Sequence, residues 1–357
     1  MSRFTTENIN KIAPYVPGEQ PRDRRYIKLN TNENPFYTSP KAVAKITAEA
    51  IKNLNRYSDP ESRDLTEAIA NYYGLDLANV LVTNGSDEAL AFVFYAYCKR
   101  GVCYPDITYG FYDVISNLFG CPIEHIALMD DFTVCTENYY NKNKTVVLAN
   151  PNAQTGVELP KEAIEQIIQR NPDNIVIIDQ AYADFGSGNA INLIKKYDNL
   201  IVVNTFSKSR SLAGARVGYI IAAADLISDL KKVKNSFHPY NVNSISSALA
   251  IEAIRDNDYF IQAVESIKTE RDLLSKDLSE LGFEVIPSAA NFVLAKHHII
   301  SGEVLYKKLK MRGVLVRHFN DERIKDFVRI TIGTKEETCR LLKELAEIIA
   351  ENNNENS

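Results

Sequence analysis

Lys208 follows directly on the apolar, β-branched run of "LIVVNTFSK", with the hydroxyls of Thr205 and Ser207 beside it and Arg216 a short way downstream. Two other apolar runs end on polar residues of complementary types. "NVLVTN" leads into Gly85, Ser86, Asp87 and Glu88 and then a helical pattern. Small residues there leave backbone N–H groups free at the positive end of a helix dipole, which makes an anion cradle. "NIVIID" ends on Asp179, with Tyr182 close behind. A carboxylate at the end of a buried strand must find a partner or shift its pKa.

Taken singly, these features have plain readings as a helix N-cap, a turn aspartate and a solvated lysine. Their combination is more specific. Ligands of open parallel sheets sit beyond the carboxyl ends of the strands, so a phosphate cradle, a buried acid and an amine would share one edge. That set suits pyridoxal phosphate. The cofactor needs a lysine for its Schiff base, an acid to keep its ring nitrogen protonated, and N–H, hydroxyl and arginine donors for its phosphate.

The elements that must position these groups are legible from about Pro40 to Ile254. "NVLVTN", "VVLAN", "NIVIID" and "LIVVNTF" are short, Val- and Ile-rich, and separated by helical patterns such as "PKEAIEQIIQRN". Such runs read as buried parallel strands with crossover helices. Beyond Asn241 the texture changes to helices ("SISSALAIEAIRD", "YFIQAVESIKTERDLLSKDLSELG"), then short strands ("FEVIP", "NFVLAK", "VLVRHF", "FVRITIG") and a last helix. The expected fold class is α/β: a large domain with a mostly parallel sheet flanked by helices, plus a small α+β domain. The expected division is an arm at 1–39, a large domain at 40–254, a small domain at 255–350 and a frayed tail at 351–357.

Composition narrows the function. With 357 residues, 45% apolar, 24% charged and a net charge of −5, the chain reads as an ordinary cytoplasmic enzyme. No basic stripe suggests nucleic acid, and no apolar run nears the ~18 residues of a membrane span. Five cysteines lack a C-x-x-C pair and the five histidines form no H-E-x-x-H, so neither disulfides nor a metal is expected. "FGSGNA" is only half of a dinucleotide fingerprint.

The stretches "SKSRSLAGARVGY", "IIDQAYADF" and "NPNAQTG" together resemble a fold-type-I aminotransferase. The likeness narrows to the histidinol-phosphate aminotransferase family through "APYVPG", "KLNTNENP", "NRYSDPES", "NGSDEAL", "YPDITYGFY" and "VRITIGTKEE". It implies pyridoxal 5'-phosphate, with Lys208 as Schiff-base lysine and proton carrier, Asp179 at the ring nitrogen, Tyr182 at the ring's phenolic oxygen and Tyr109 stacked on the ring. Ser86, Asp87, Thr205, Ser207 and Arg216 would hold the phosphate. Tyr57 would reach the neighbouring subunit's cofactor across a homodimer with shared active sites. Tyr15, Asn30, Arg317, Arg329 and Arg340 would bind substrate. Arg340, on a helix beside Glu336 and Glu337, equally reads as a surface ion pair.

One departure stands out. The family's Asn-Asn-Pro-Thr-Gly run is here Asn152-Ala153-Gln154-Thr155-Gly156. The asparagine expected at the ring oxygen is Ala153, so either Asn152 takes its place or Tyr182 acts alone. The activity implied is transamination between a small-molecule amino donor, histidinol phosphate first, and the keto acid 2-oxoglutarate. Aromatic or other amino acids, a threonine-phosphate decarboxylase-like reaction, and a non-catalytic cofactor-binding role stay open as alternatives.

Overall fold

The computed structural model describes residues 2–5, 9 and 12–355. Its central sheet has seven strands in the order Val80–Thr83, Gly218–Ala222, Leu200–Thr205, Val176–Asp179, Thr145–Ala149, Val102–Pro105 and Ile123–Ile126. Gly218–Ala222 runs antiparallel to both neighbours, and the remaining pairs are parallel. Alternate residues feed opposite layers. Val147, Ile177, Ile201 and Val203 enter one core cluster, while Val146, Leu148, Val176, Ile178, Leu200 and Val202 enter the other. Helices cover both faces, which is why these strands are apolar throughout rather than alternating with polar residues. Each fully buried Val or Ile contributes about 1.5–3 kcal/mol.

A second sheet is antiparallel, in the order Arg317–His318, Val328–Thr331, Phe292–His297 and Phe283–Ile286. The helices Asn257–Glu280, Gly302–Met311 and Lys335–Glu355 accompany it. Phe292, Val293, Val328 and Ile330 belong to the same core cluster as Ile177 and Ile201 of the large sheet, so the two sheets share an apolar layer. The last helix carries the asparagine-rich end through Glu355, where the sequence reads as a frayed tail. Its buried Leu341, Leu345 and Ile348 tie that helix down upstream.

The N-terminal segment runs beside the small sheet, in a separate two-stranded ladder. Ile27–Lys28 pairs in parallel with Val314–Leu315, and Leu29 accepts a backbone hydrogen bond from Thr331 at 3.0 Å. Asn34 then donates through Nδ2 to the carbonyl of Lys208 at 3.0 Å. Residues 27–34 therefore brace the lysine loop from the small-sheet side.

Gly218 lies between Thr83 and Thr205 in the large sheet. A Cβ there would fall 2.5 Å from the Gly85 carbonyl carbon and 2.7 Å from the Ser86 nitrogen, both backbone atoms. Gly218→Ala is expected to cost about 1–3 kcal/mol in denaturant unfolding, with backbone displacement at the helix start. An unchanged midpoint would show that this close approach is not required.

Candidate active site

The parallel strands deliver their polar ends to one edge. Thr83 hands over to Gly85 and Ser86, Asp179 closes its strand ahead of Tyr182, Thr205 leads to Ser207 and Lys208, Ala149 leads to Ala153, and Pro105 leads to Tyr109. The antiparallel strand begins at this edge, which places Arg216, just before it, beside the helix Gly85–Tyr97. A cavity of ≈ 390 Å³ opens there, lined among others by Ser86, Tyr109, Asp179, Tyr182, Lys208 and Arg329. Its size suits a cofactor together with a small substrate.

Asp179 is 4% exposed. Tyr112 Oη donates to its Oδ2 at 2.9 Å and the Ala181 N–H donates to Oδ1 at 3.1 Å. Burial pushes the carboxyl up to about 6, opposed by these two donors. Burial also raises the Tyr112 hydroxyl well above its ordinary value, so it stays a proton donor to the acid. Such a carboxylate is poised for a cationic partner. Lys208 Nζ donates to the Thr31 carbonyl at 3.2 Å and lies 5.5 Å from the centre of the Tyr182 ring.

The anion end is built on close backbone approach. Gly85 has φ 77°, and a Cβ on it would meet Arg216 Nη2 at 2.5 Å. Arg216 itself takes the left-handed conformation, φ 54°, and its Nη2 reaches Asp87 Oδ2 at 2.9 Å. Tyr109 Oη donates to the other oxygen of Asp87 at 2.9 Å. Thr205 and Ser207 are buried and joined through their hydroxyls at 2.9 Å. Ser86, Asp87, Thr205, Ser207 and Arg216 thus converge around one helix N-terminus.

At the opposite wall Arg329 donates through Nη1 to the Ala153 carbonyl at 2.8 Å and to Gln154 Oε1 at 3.1 Å. The rings of Phe292 and Phe319 lie 5.0 and 5.3 Å from its guanidinium carbon. Its Nε is buried with no hydrogen-bond partner among the described residues. Arg317 binds the carbonyls of Val16 and Pro17 and also lines the cavity, as do Tyr15 and Asn30. Asn30 Nδ2 donates to the Glu19 carbonyl at 2.9 Å, and its buried Oδ1 has no partner among the described residues.

Two expected residues lie elsewhere, and a third, expected at a neighbouring subunit's cofactor, faces outward. Asn152 cannot take the place of the missing asparagine: its Nδ2 donates to the Ile107 carbonyl, and its Oδ1 caps the N–H groups of Gln154 and Thr155. That side chain builds the 150–157 turn, and it is Ala153 that lines the cavity. Arg340 is a helix-surface residue whose Nε pairs with Glu344 at 2.7 Å, one turn on. Its place on the outer face of that helix keeps it from the cavity wall. Tyr57 is 83% exposed and stacks on Tyr240 with centroids 4.5 Å apart, away from its own chain's cavity.

Two residues that the sequence did not single out belong to the site. Tyr112 partners Asp179, and Asn32 donates to the Tyr182 hydroxyl at 3.0 Å. Tyr112 lies in the first turn of the helix Phe111–Phe119, just after Tyr109 in the loop that leads into it. No local pattern marks Asn32. The donor set fits pyridoxal phosphate: a glycine-lined anion cradle, a buried acid awaiting a cation and an amine open to one cavity. The orphaned Arg329 Nε fits a substrate oxyanion.

Comparison with known proteins agrees with this geometry. The family model for aminotransferase class I and II matches residues 24–345. Histidinol-phosphate aminotransferase 1 of Bradyrhizobium diazoefficiens is 46% identical over 98% of this chain and 100% of its own length. Histidinol-phosphate aminotransferase of Pseudomonas putida is 45% identical over 97% and 100%. In fold, the histidinol-phosphate aminotransferase of Sinorhizobium meliloti, solved in complex with pyridoxal-5'-phosphate, superposes with a TM-score of 0.88 over 98% of this chain and 99% of that one, at 23% identity. The chain belongs to the class I and II aminotransferases and, within them, to the histidinol-phosphate aminotransferase family.

Proposed function

We propose that this chain transfers an amino group from histidinol phosphate to 2-oxoglutarate, giving imidazole-acetol phosphate and glutamate, with pyridoxal 5'-phosphate as cofactor. The observation that supports this most is a single cavity bounded by Lys208 and Asp179 on one side and Arg329 and Arg317 on the other. When bound, the cofactor supplies a carbonyl for amine attachment and a ring that draws electrons from the substrate's α carbon. Asp179 would hold a positive charge at the ring nitrogen. Tyr182 would donate its hydroxyl proton toward the phenolic oxygen, and Tyr109 would lie against the ring. The Ser86 and Asp87 N–H groups, with Thr205, Ser207 and Arg216, hold the phosphate. Lys208 Nζ takes the α proton of the amino donor and returns a proton to complete the transfer.

Arg329 and Arg317 must receive a phosphate ester in one half-reaction and a carboxylate in the other. A planar guanidinium binds both oxyanions through paired N–H groups. We further propose a cytoplasmic homodimer in which Tyr57 reaches the partner's phosphate. The exposure of Tyr57, Phe237 and Tyr240 supports a covered apolar surface, and five free cysteines, three of them buried, suit a reducing compartment.

The visible spectrum of the cofactor-loaded protein tests the reaction. Histidinol phosphate should abolish the cofactor's absorbance band and 2-oxoglutarate should restore it, with no such cycle in Lys208→Ala. Carbon dioxide release from a phosphorylated amino acid, or faster turnover of phenylalanine, would reassign the substrate. Arg329→Gln is expected to raise KM for histidinol phosphate about 10- to 100-fold, the worth of a charged hydrogen bond. An unchanged KM would place the oxyanion elsewhere.

In the cofactor-free protein, Asp179 has a carboxyl pKa of about 6 when folded, against ~3.9 unfolded. The folded state therefore binds this proton more tightly. The resulting stability is fully present below the unfolded value and is lost as pH rises through the folded one. Relative to Asp179→Asn, the cofactor-free protein should lose roughly 2–3 kcal/mol between about pH 4 and pH 7. Parallel pH profiles of the two proteins would contradict this.

A further inference from the structure

We infer that Asn32 is a positioning residue for the cofactor, aiming the Tyr182 hydroxyl proton at the ring oxygen and so making up for the carboxamide absent at Ala153. This rests on the pyridoxal-phosphate reading above. Asn32 is 1% exposed and sits in the left-handed region at φ 55°. Its N–H donates to Thr331 Oγ1 at 2.9 Å, and Thr331 Oγ1 donates in turn to Asn32 Oδ1 at 3.2 Å. The Asn32 carbonyl accepts from Asn291 Nδ2 at 3.0 Å. The residue is thus held at both its backbone and its side chain by the small sheet.

These bonds fix which way the amide points. With Oδ1 taken by the Thr331 proton, Nδ2 faces the Tyr182 oxygen, 3.0 Å away. Turning the amide over would aim two donors at Thr331 and take away the acceptor of its proton. The Tyr182 oxygen therefore accepts from Asn32, and its own proton is left for a partner in the cavity that Tyr182 lines. Edge-on contact with Phe292, centroids 5.3 Å apart, holds the ring in place. Ala153, which lines the same cavity, has no carboxamide to offer, and the Asn152 amide is committed to backbone. Asn32 supplies a carboxamide one bond removed, through Tyr182.

A hydrogen bond donated to the phenolic oxygen favours its anionic form and lowers the pH at which the bound chromophore loses its proton. The test is a spectral pH titration of the cofactor-loaded protein with Asn32→Gly, which the left-handed backbone accepts, in both the Tyr182 and the Tyr182→Phe backgrounds. Thr331→Val, which frees the Asn32 amide without removing it, is the second variant. The expected result is a midpoint raised by about half a pH unit in Asn32→Gly and by less in Thr331→Val, with both shifts absent in Tyr182→Phe. Equal shifts in both backgrounds, or none in the Tyr182 background, overturn the role through Tyr182. A wild-type protein that develops no visible band with pyridoxal phosphate overturns the reading beneath, and this inference with it.

Discussion

A carboxylate buried at the end of a β-strand governs this site. Removing an ionised group from water costs several kcal/mol unless it is paired or hydrogen-bonded, and among the described residues Asp179 has only the Tyr112 hydroxyl and the Ala181 N–H as donors. Its carboxyl is consequently raised toward neutrality. On the proposed reading, a cationic ring nitrogen would relieve that tension and would itself be held protonated by it. Stability given up in the empty protein becomes binding energy and electron-withdrawing power in the loaded one.

The sheet makes this arrangement possible. Parallel pairing of Val176–Asp179 with Thr145–Ala149 and Leu200–Thr205 brings their carboxyl ends to one level. The acid and the lysine therefore project from adjacent strands. The antiparallel strand Gly218–Ala222 inverts this logic: it begins at that edge, so Arg216 arrives before the strand rather than after it. Gly218 and Gly85 allow the two backbones to close to the distance that the cradle needs. The segment 27–34 completes the site from the other sheet, with Thr31, Asn32 and Asn34 touching Lys208, Tyr182 and the lysine loop. The small-sheet side of the cavity thus carries Arg317, Arg329 and the residues that brace Tyr182 and the lysine loop.

Much of this was legible in the sequence because strand ends are local. Lys208, Asp179 and the Gly85–Ser86 helix start announce themselves by following β-branched runs, and parallel-sheet geometry gathers them without further information. The remainder depends on contacts distant in sequence. Asn32 meets Tyr182 through contacts far apart in sequence: two-residue strands, too short for any periodic pattern, tie Ile27–Lys28 to Val314–Leu315, and Thr331 and Asn291 hold Asn32 itself. Asn152 matched a motif by position, yet its side chain is consumed by the turn it builds. Arg340 had two readings, and the i,i+4 pair with Glu344 accounts for where the structure puts it. The division into two domains is likewise softer than composition suggests, since one apolar layer serves both sheets.

The protonation state of the bound ring nitrogen tests the central claim most directly, read from the nitrogen-15 chemical shift of isotopically labelled pyridoxal phosphate on the wild-type protein. The expected signal is that of a protonated ring well above neutral pH, lost in Asp179→Ala. A ring that titrates on the protein as it does free in water would show that the buried acid does not govern the cofactor.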